Sequence, residues 1–221
     1  MAIENENKLN EVIKAFADAG FIDDVVLIGS WCLGFYAEIF EGFTPSVRTT
    51  DIDFYVPDSK RANASSLCGQ LRAINYDHFQ DCMTSKSRFV SPDGFEIEFL
   101  AKLNKEGLSC VRLGSSGVFA ESLSYVDIFG SNYIELIRGG IRIKVASPSA
   151  FAIQKILINE RRGAKAEKDA QAIDYVLLFI GASYKSRDEF YELLDELPRK
   201  WKKTVEEYAK RRGIQLPQRN G

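Results

Sequence analysis

The sequence predicts an α+β protein in which a mixed sheet is flanked by helices and followed by a helical appendage. Two observations indicate this class. Apolar strand-like runs alternate with helix-like stretches up to residue 146, and after Ser147-Pro148 the apolar residues recur at helical spacing almost to the end. We therefore expect two domains, residues 1–146 and residues 147–221. A chain of 221 residues is long enough to bury a hydrophobic core.

Apolar spacing defines the first elements. The strand at residues 25–28 is continuously apolar, and we expect it near the centre of the sheet. Residues 31–40 predict a helix, and residues 41–48 predict a loop. An earlier helix ends at the glycine stop Gly20. Four apolar residues recur at helical spacing in that helix: Leu9, Val12, Ile13 and Phe16.

Two acidic residues alternate with apolar ones in the strand at residues 51–56. Successive side chains on a strand point to opposite faces, so Asp51 and Asp53 share one face while Ile52 and Phe54 point into the core. The two Asp Cα atoms then lie about 6.6 Å apart. Paired carboxylates repel each other unless a cation lies between them, and hard oxygen ligands suit Mg²⁺. The pattern is typical of metal-assisted phosphoryl or nucleotidyl transfer.

The Gly29-Ser30 pair lies where the strand at residues 25–28 leads into a helix. Glycine lets a phosphate approach the backbone, the serine offers a hydroxyl, and the helix N-terminus offers unpaired N–H groups. Such a pair alone is usually a simple turn. Ahead of a strand that carries Asp-x-Asp, it indicates phosphate binding.

A third carboxylate is expected from the strand at residues 95–100. This strand alternates strictly, so Glu96 and Glu98 share a face that can lie beside Asp51 and Asp53 in a sheet. Glu98 is favoured as the third acid and general base, because the apolar frame continues around it. Glu96 is the alternative, and on a solvated edge strand neither glutamate would have a role.

Two hairpins follow from turn signals. Residues 91–94 join a strand at residues 88–90 to the acidic strand, and Gly139-Gly140 joins strands at residues 133–137 and 141–145.

Asn63 can cap a short helix that runs to Ala73, whereas residues 104–132 carry no clear pattern. Ser147 or Ser149 can cap the first helix of the C-terminal part. Further helices are expected at residues 166–180, 188–194 and 201–212.

The motifs Gly29-Ser30, Asp51-Ile52-Asp53-Phe54 and Ile97-Glu98-Phe99 together resemble the signature of the nucleotidyltransferase superfamily typified by DNA polymerase beta. The resemblance implies that the Gly-Ser pair binds a triphosphate and that the three acids hold two Mg²⁺ ions. Two features depart from the signature. The gap from Ser30 to Asp51 is longer than usual, and the third acid is Glu rather than the commoner Asp.

The C-terminal helices resemble bacterial nucleotidyltransferases of the abortive-infection and toxin–antitoxin type through Ser147-Pro148, Lys155, Arg161 and Lys168-Asp169. A nucleoside triphosphate carries several negative charges, so its site needs cations besides Mg²⁺. Arg48, just ahead of the aspartate strand, and Lys155, on a helix that can close over the nucleotide, are the predicted nucleotide-binding cations. Alternatively, Lys155 is a surface lysine and Lys168-Asp169 is surface pairing.

We expect a Mg²⁺-dependent enzyme that moves a nucleoside monophosphate from an NTP to an acceptor, with catalytic and metal-binding Asp51, Asp53 and Glu98. The acceptor stays open among RNA, a protein and a small molecule such as an aminoglycoside. The choice of NTP and the oligomeric state also stay open. Two alternatives keep the same residues: an inactive nucleotide- or nucleic-acid-binding module of toxin–antitoxin type, and a metal-dependent phosphohydrolase.

The composition indicates the class of protein and its expected cellular location. The chain is 45% hydrophobic and 27% charged, as in ordinary globular proteins, and no apolar run is long enough to span a bilayer. Without a signal-like N-terminus or zinc-like cysteine spacing, we expect a cytoplasmic protein with no membrane partner.

Residues 196–221 carry eight basic and three acidic residues, a charge of +5 that leaves −7 for residues 1–195. This favours a solvated helix face, with nucleic-acid contact as the alternative.

Overall fold

Seven α-helices and nine strands form within the residues that the structure describes. The computed structural model describes residues 2–45, 49–104 and 106–219, apart from the side chains of residues 2–5 and of Lys165. The helices are α1 (Ala2–Asp18), α2 (Cys32–Tyr36), α3 (Leu67–Ala73), α4 (Pro148–Ile158), α5 (Ala166–Ala182), α6 (Tyr184–Glu196) and α7 (Arg199–Arg212). The strands are β1 (Val26–Ile28), β2 (Asp51–Tyr55), β3 (Asp77–Gln80), β4 (Ser87–Val90), β5 (Glu96–Lys102), β6 (Cys110–Arg112), β7 (Phe119–Leu123), β8 (Tyr133–Arg138) and β9 (Ile141–Ala146).

The chain divides into two compact units between Ala146 and Ser147. The first unit contains residues 1–38 and 44–146, and the second contains residues 39–43 and 147–221. All strands of the described chain lie in the first unit, and α4 to α7 lie in the second.

The strands form one mixed sheet. Its order is β3-β4-β5-β2-β1-β9-β8, while β7 pairs with the C-terminal part of β5 and with β6. β1 lies inside the sheet, antiparallel to β2 and parallel to β9, and its three residues are buried. The predicted central position of the apolar strand is therefore confirmed, as is the predicted mixed sheet of an α+β fold.

Aromatic packing against α1 closes one face of the sheet. The ring of Phe16 on α1 lies 4.7 Å from the Phe54 ring of β2 and 5.8 Å from the Phe99 ring of β5, between centroids. All three side chains are buried, and aromatic pairs at these distances add to the stability that comes from burial alone. Because Phe54 and Phe99 point toward α1, the acidic residues that alternate with them lie on the opposite face.

Several local predictions are confirmed. α1 ends shortly before Gly20, whose φ of +67° is the left-handed conformation that glycine adopts readily. β4 and β5 form the hairpin around residues 91–94, and β8 and β9 form the one around Gly139-Gly140. Ser147 caps α4, because its hydroxyl accepts a hydrogen bond from the Ala150 N–H at 3.2 Å.

The predicted helix over residues 31–40 is wrong in length, since α2 ends at Tyr36. The chain beyond it belongs to the second unit, where Phe40 lies 5.7 Å from Phe179 of α5 between ring centroids. Phe43 stacks on Tyr175 of the same helix at 4.6 Å. These aromatic contacts override the local helical spacing.

Two further predictions need correction. α3 begins only at Leu67 with Ser66 at the N-cap position, so Asn63 lies too far ahead of the helix to cap it, and its side-chain oxygen accepts a hydrogen bond from the Ser65 hydroxyl instead. The stretch at residues 104–132, which carries no readable pattern, contains β6 and β7. β3 was also missed by the sequence patterns.

The second unit is organised around α4. Residues 148–157 of this helix are buried, and α5, α6 and α7 pack against it. None of the helices in the described ranges combines the length and apolar character needed to cross a bilayer.

Replacing Phe99 with alanine should lower the free energy of unfolding by about 3–5 kcal/mol, because it removes a fully buried ring and leaves a cavity beneath α1. Urea denaturation followed by circular dichroism measures this change. Phe79→Ala is the matched control, since the Phe79 side chain on β3 is 49% exposed and its loss should cost about 0.5 kcal/mol. Equal losses in the two variants would contradict this account of the core.

Candidate active site

The parallel pairing of β2 with β5 brings the predicted acids together. The register sets Asp51 opposite Glu96 and Asp53 opposite Glu98, on strands about 4.8 Å apart. All four residues are half-buried, on the sheet face that points away from α1. We call this set, Asp51, Asp53, Glu96 and Glu98, the carboxylate face.

Gly29 and Ser30 border the carboxylate face at the end of β1. Ile28 pairs with Asp53 in the antiparallel β1–β2 ladder, so the turn that follows β1 lies beside the Asp53 side chain. Gly29 has a φ of +73°, and a Cβ atom at this position would collide with Asp53 Oδ2. Glycine is therefore required here for the close approach of turn and carboxylate. Ser30 is half-buried in the 3-10 turn that leads into α2.

Two basic residues at the start of β4 pair with the glutamates. Lys86 Nζ lies 2.9 Å from Glu98 Oε1 and 2.7 Å from Glu121 Oε2, the latter on β7. The Arg88 guanidinium lies 3.6 Å from the Glu96 carboxylate. Burial alone would lower the pKa of Lys86, but hydrogen bonds to Glu121 and Glu98 outweigh it and raise the pKa. Lys86 is therefore a cation at neutral pH.

The donor chemistry of the carboxylate face fits Mg²⁺. Asp51 and Asp53 present hard oxygen ligands from one strand, which is the type of donor that Mg²⁺ prefers. Within the described ranges, no three His, Cys, Asp or Glu side chains converge in a way that could hold a metal ion. Glu98 instead forms an ion pair with Lys86. Glu98 beside Asp53 and Glu96 beside Asp51 remain alternatives for the third acid.

The structure describes only one of the two predicted nucleotide-binding cations, Arg48 and Lys155. Arg48 lies outside the described residues. Lys155 lies on α4 and is buried, with Nζ 2.9 Å from Asp169 Oδ1, while Arg162 Nε lies 2.8 Å from Asp169 Oδ2. Burial alone would raise the pKa of Asp169, but Lys155 and Arg162 hold it below its ordinary range. The surface interpretations of Lys155 and Asp169 are therefore wrong, and nucleotide binding by Lys155 stays a prediction.

Much of the basic C-terminal segment is neutralised within the second unit. Its helix, α7, packs through the buried side chains of Val205 and Tyr208. This arrangement supports the solvated-face interpretation, and nucleic-acid contact stays a prediction. Five of the eight basic residues of the segment form ion pairs: Lys202 and Arg219 with Asp195, Lys203 with Glu207, Arg211 with Glu160, and Arg212 with Glu167 and Asp174.

Sequence reasoning missed Lys86 and Glu121. Glu121 lies on β7, in the stretch at residues 104–132 that carries no clear sequence pattern; in the structure Ala120 and Ser122 are buried and Glu121 is half-buried. Lys86 directly precedes β4, and its backbone carbonyl accepts a hydrogen bond from the Asp81 N–H that closes the β3–β4 turn. Without β3 and β7, the pattern around these residues predicts no contact with Glu98.

Comparison with known proteins finds one matching family and solved structures that are similar to the chain. A model of a family described as nucleotidyltransferase matches residues 7–192. The solution structure of the antibiotic-resistance factor ANT(2'')-Ia is similar at 10% identity, over 96% of this chain and 100% of that chain, with a TM-score of 0.55, which supports a shared fold. The crystal structure of an antigenic nucleotidyltransferase-like protein from Paracoccidioides brasiliensis is similar at 15% identity, over 92% and 89% of the two chains, with a TM-score of 0.49. No curated protein matches the chain significantly.

Replacing Gly29 with alanine should destabilise the protein by about 1–3 kcal/mol, because the new Cβ strains the backbone and displaces the Asp53 carboxylate. Differential scanning calorimetry measures the shift in Tm. Gly34→Ala is the matched control, since a Cβ at Gly34 in α2 would meet no atom within 4 Å and alanine favours a helix. A Tm for Gly29→Ala equal to or above that of the control would contradict the close approach.

Proposed function

The chain belongs to the nucleotidyltransferase family, and from that premise we propose that it is a Mg²⁺-dependent enzyme that acts on an NTP. It transfers the nucleoside monophosphate to an acceptor and releases pyrophosphate. The observation that carries the proposal is the position of Asp53 between Gly29 and Glu98. Because β1 and β5 flank β2 on opposite edges, the Gly29-Ser30 turn and the acidic residues lie next to each other, which supports the proposal.

The proposed reaction joins an acceptor oxygen to the α-phosphorus of the NTP. The bond between the α-phosphorus and the oxygen that bridges to the β-phosphorus breaks, and pyrophosphate leaves with that electron pair. The proton of an acceptor hydroxyl passes to a nearby carboxylate, for which Glu98 is the proposed base and Glu96 the alternative. Bound Mg²⁺ would offset the negative charge of the phosphates.

The residues of this chain divide the remaining roles. Asp51 and Asp53 would hold the metal, with Glu98 as the third ligand, and two ions is the number that the family resemblance implies. The turn at Gly29-Ser30 would bind the phosphates through backbone N–H groups and the serine hydroxyl. Lys155 remains a proposed nucleotide ligand, although phosphates would have to compete with the buried Asp169 for its ammonium.

The acceptor is left open by this geometry. The likeness to ANT(2'')-Ia, at 10% identity, concerns the fold and does not select an aminoglycoside. RNA, a protein and a small molecule stay as candidates, and a cytoplasmic location stays part of the proposal.

Incubation of the full chain with Mg²⁺ and each α-labelled NTP, with and without bulk tRNA, tests the proposed reaction. Label that becomes stably attached to an acceptor supports nucleotidyl transfer. Free nucleoside monophosphate with pyrophosphate instead indicates a phosphohydrolase. Unchanged NTP that nevertheless binds the protein indicates an inactive nucleotide-binding module.

Asp51→Asn and Asp53→Asn should each abolish Mg²⁺-dependent NTP binding while the fold stays intact. Removing one charge from a repelling pair does not destabilise the metal-free protein, but it removes a ligand from the bound state. Isothermal titration calorimetry with Mg²⁺ and NTP measures the loss. Asp58→Asn, a change in the exposed segment after β2, is the control and should bind like the wild type. Undiminished binding in the Asp51 and Asp53 variants would overturn the assignment.

Glu98→Gln should reduce kcat by about 10²–10⁴-fold, with little change in the affinity for NTP at saturating Mg²⁺, because a general base acts mainly on the transition state. Glu96→Gln, the matched change two residues earlier on the same face, should have little effect on either quantity. Steady-state kinetics with equilibrium binding separates the two quantities. The opposite order of effects would assign the third acid to Glu96.

A further inference from the structure

The ammonium of Lys86 bridges two carboxylates on neighbouring strands, Glu98 of β5 and Glu121 of β7. The proposed reaction gives this bridge no role. We propose that Lys86 competes with divalent cations for Glu98, and that Glu121 is the counter-ion that retains Lys86 when Glu98 turns to a metal. The inference rests on the proposed function, because it takes Glu98 as the third ligand of the carboxylate face.

The contacts of the bridge are those of a well-formed ion pair. Lys86 Nζ lies 2.9 Å from Glu98 Oε1 and 2.7 Å from Glu121 Oε2, which are charge-assisted hydrogen-bond distances. The side chain of Lys86 is 24% exposed, that of Glu98 is 22% exposed and that of Glu121 is 34% exposed. The bridge is therefore only partly screened by water, unlike an exposed surface pair.

The backbone on both sides of the bridge is held in place. The Asp81 N–H donates to the Lys86 carbonyl at 2.9 Å, which closes the β3–β4 turn. The next residue, Ser87, is fully buried, and its hydroxyl accepts a hydrogen bond from the Phe119 N–H of β7 at 3.0 Å. The backbone of Lys86 is thus fixed next to β7, and its ammonium contacts both Glu98 of β5 and Glu121 of β7.

Lys86 and a divalent cation would compete for Glu98 because both are positively charged. An ammonium ion and a divalent cation repel each other, and a carboxylate oxygen held in an ion pair with the ammonium is less available to the metal. If Glu98 turns toward the metal, Lys86 must keep a negative partner, because an uncompensated half-buried cation is costly. Glu121 supplies that partner, since it already makes the shorter of the two contacts.

Substitutions of Lys86 and of Glu121 should therefore change the metal affinity in opposite directions. Lys86→Met releases Glu98 and removes a positive charge that repels the metal ion, so the affinity for Mn²⁺ or Mg²⁺ should rise by about 10-fold. Glu121→Gln leaves Lys86 with Glu98 as its remaining partner in the bridge, so the affinity should fall by about 10-fold. In a Glu98→Gln background the effect of Lys86→Met should largely vanish, because the competition passes through Glu98.

Lys102→Met is the matched control. Lys102 belongs to β5 and its Nζ lies 2.8 Å from Asp127 Oδ2, so the substitution removes the same charge from the same sheet without touching Glu98. Its metal affinity should stay close to that of the wild type. Lys86→Gln provides a second variant at the bridge if Lys86→Met folds poorly, as judged by circular dichroism and Tm.

The experiment titrates the full chain with Mn²⁺ alone and with Mg²⁺ alone, without nucleotide, by calorimetry and by electron paramagnetic resonance of unbound Mn²⁺. Opposite shifts for Lys86→Met and Glu121→Gln, with an unchanged control, support the inference. It is overturned if Lys86→Met and Lys86→Gln bind no more tightly than the wild type, if Glu121→Gln does not weaken binding, or if Lys102→Met gives the same gain.

The two proposals fail in distinguishable ways. Opposite shifts in metal affinity without any nucleotide transfer would overturn the proposed reaction and leave the role of Lys86 standing. Transfer by the wild type with unaltered metal affinity in the bridge variants would overturn the role of Lys86 and leave the reaction standing.

Discussion

The parallel register of β2 and β5 is the constraint on which the candidate site depends. Strand alternation alone pairs Asp51 with Asp53, but only the register sets Glu98 beside Asp53. If β5 moved by one residue, its glutamates would face α1 and Phe99 would face solvent. The cost of burying carboxylates and exposing an aromatic ring excludes that arrangement. The hydrophobic core therefore holds the acids in place.

Concentrated charge in this protein is balanced locally. On the carboxylate face the repulsion among acids is offset by Lys86 and Arg88, which lie at the start of β4. In the second unit the buried Asp169 is balanced by two cations at hydrogen-bond distance. A buried carboxylate without such partners would take up a proton, whereas Lys155 and Arg162 hold the pKa of Asp169 below its ordinary range.

Features that depend on residues close in the chain were predictable, including the acidic strands, the two hairpins and the cap of α4. The predicted contact between β2 and β5 also followed, because alternation and burial were consistent on both strands. Features that depend on contacts between residues distant in the chain could not be predicted. α2 is short because Phe40 and Phe43 pack on α5, and Glu121 joins the bridge only through the pairing of β7 with β5. No window of sequence contains those contacts.

The fold shows that the positive charge of the C-terminal segment is largely balanced by acidic residues of the second unit. The C-terminal segment has a charge of +5, yet the second unit as a whole has fifteen basic and twelve acidic residues, a charge of +3. Cations already paired with carboxylates release few counterions on binding a polyanion, so they add little to its affinity. In the proposed reaction, the charge of the triphosphate would therefore be offset mainly at the carboxylate face. Because that face itself is acidic, divalent cations would form the bridge between the protein and the nucleotide.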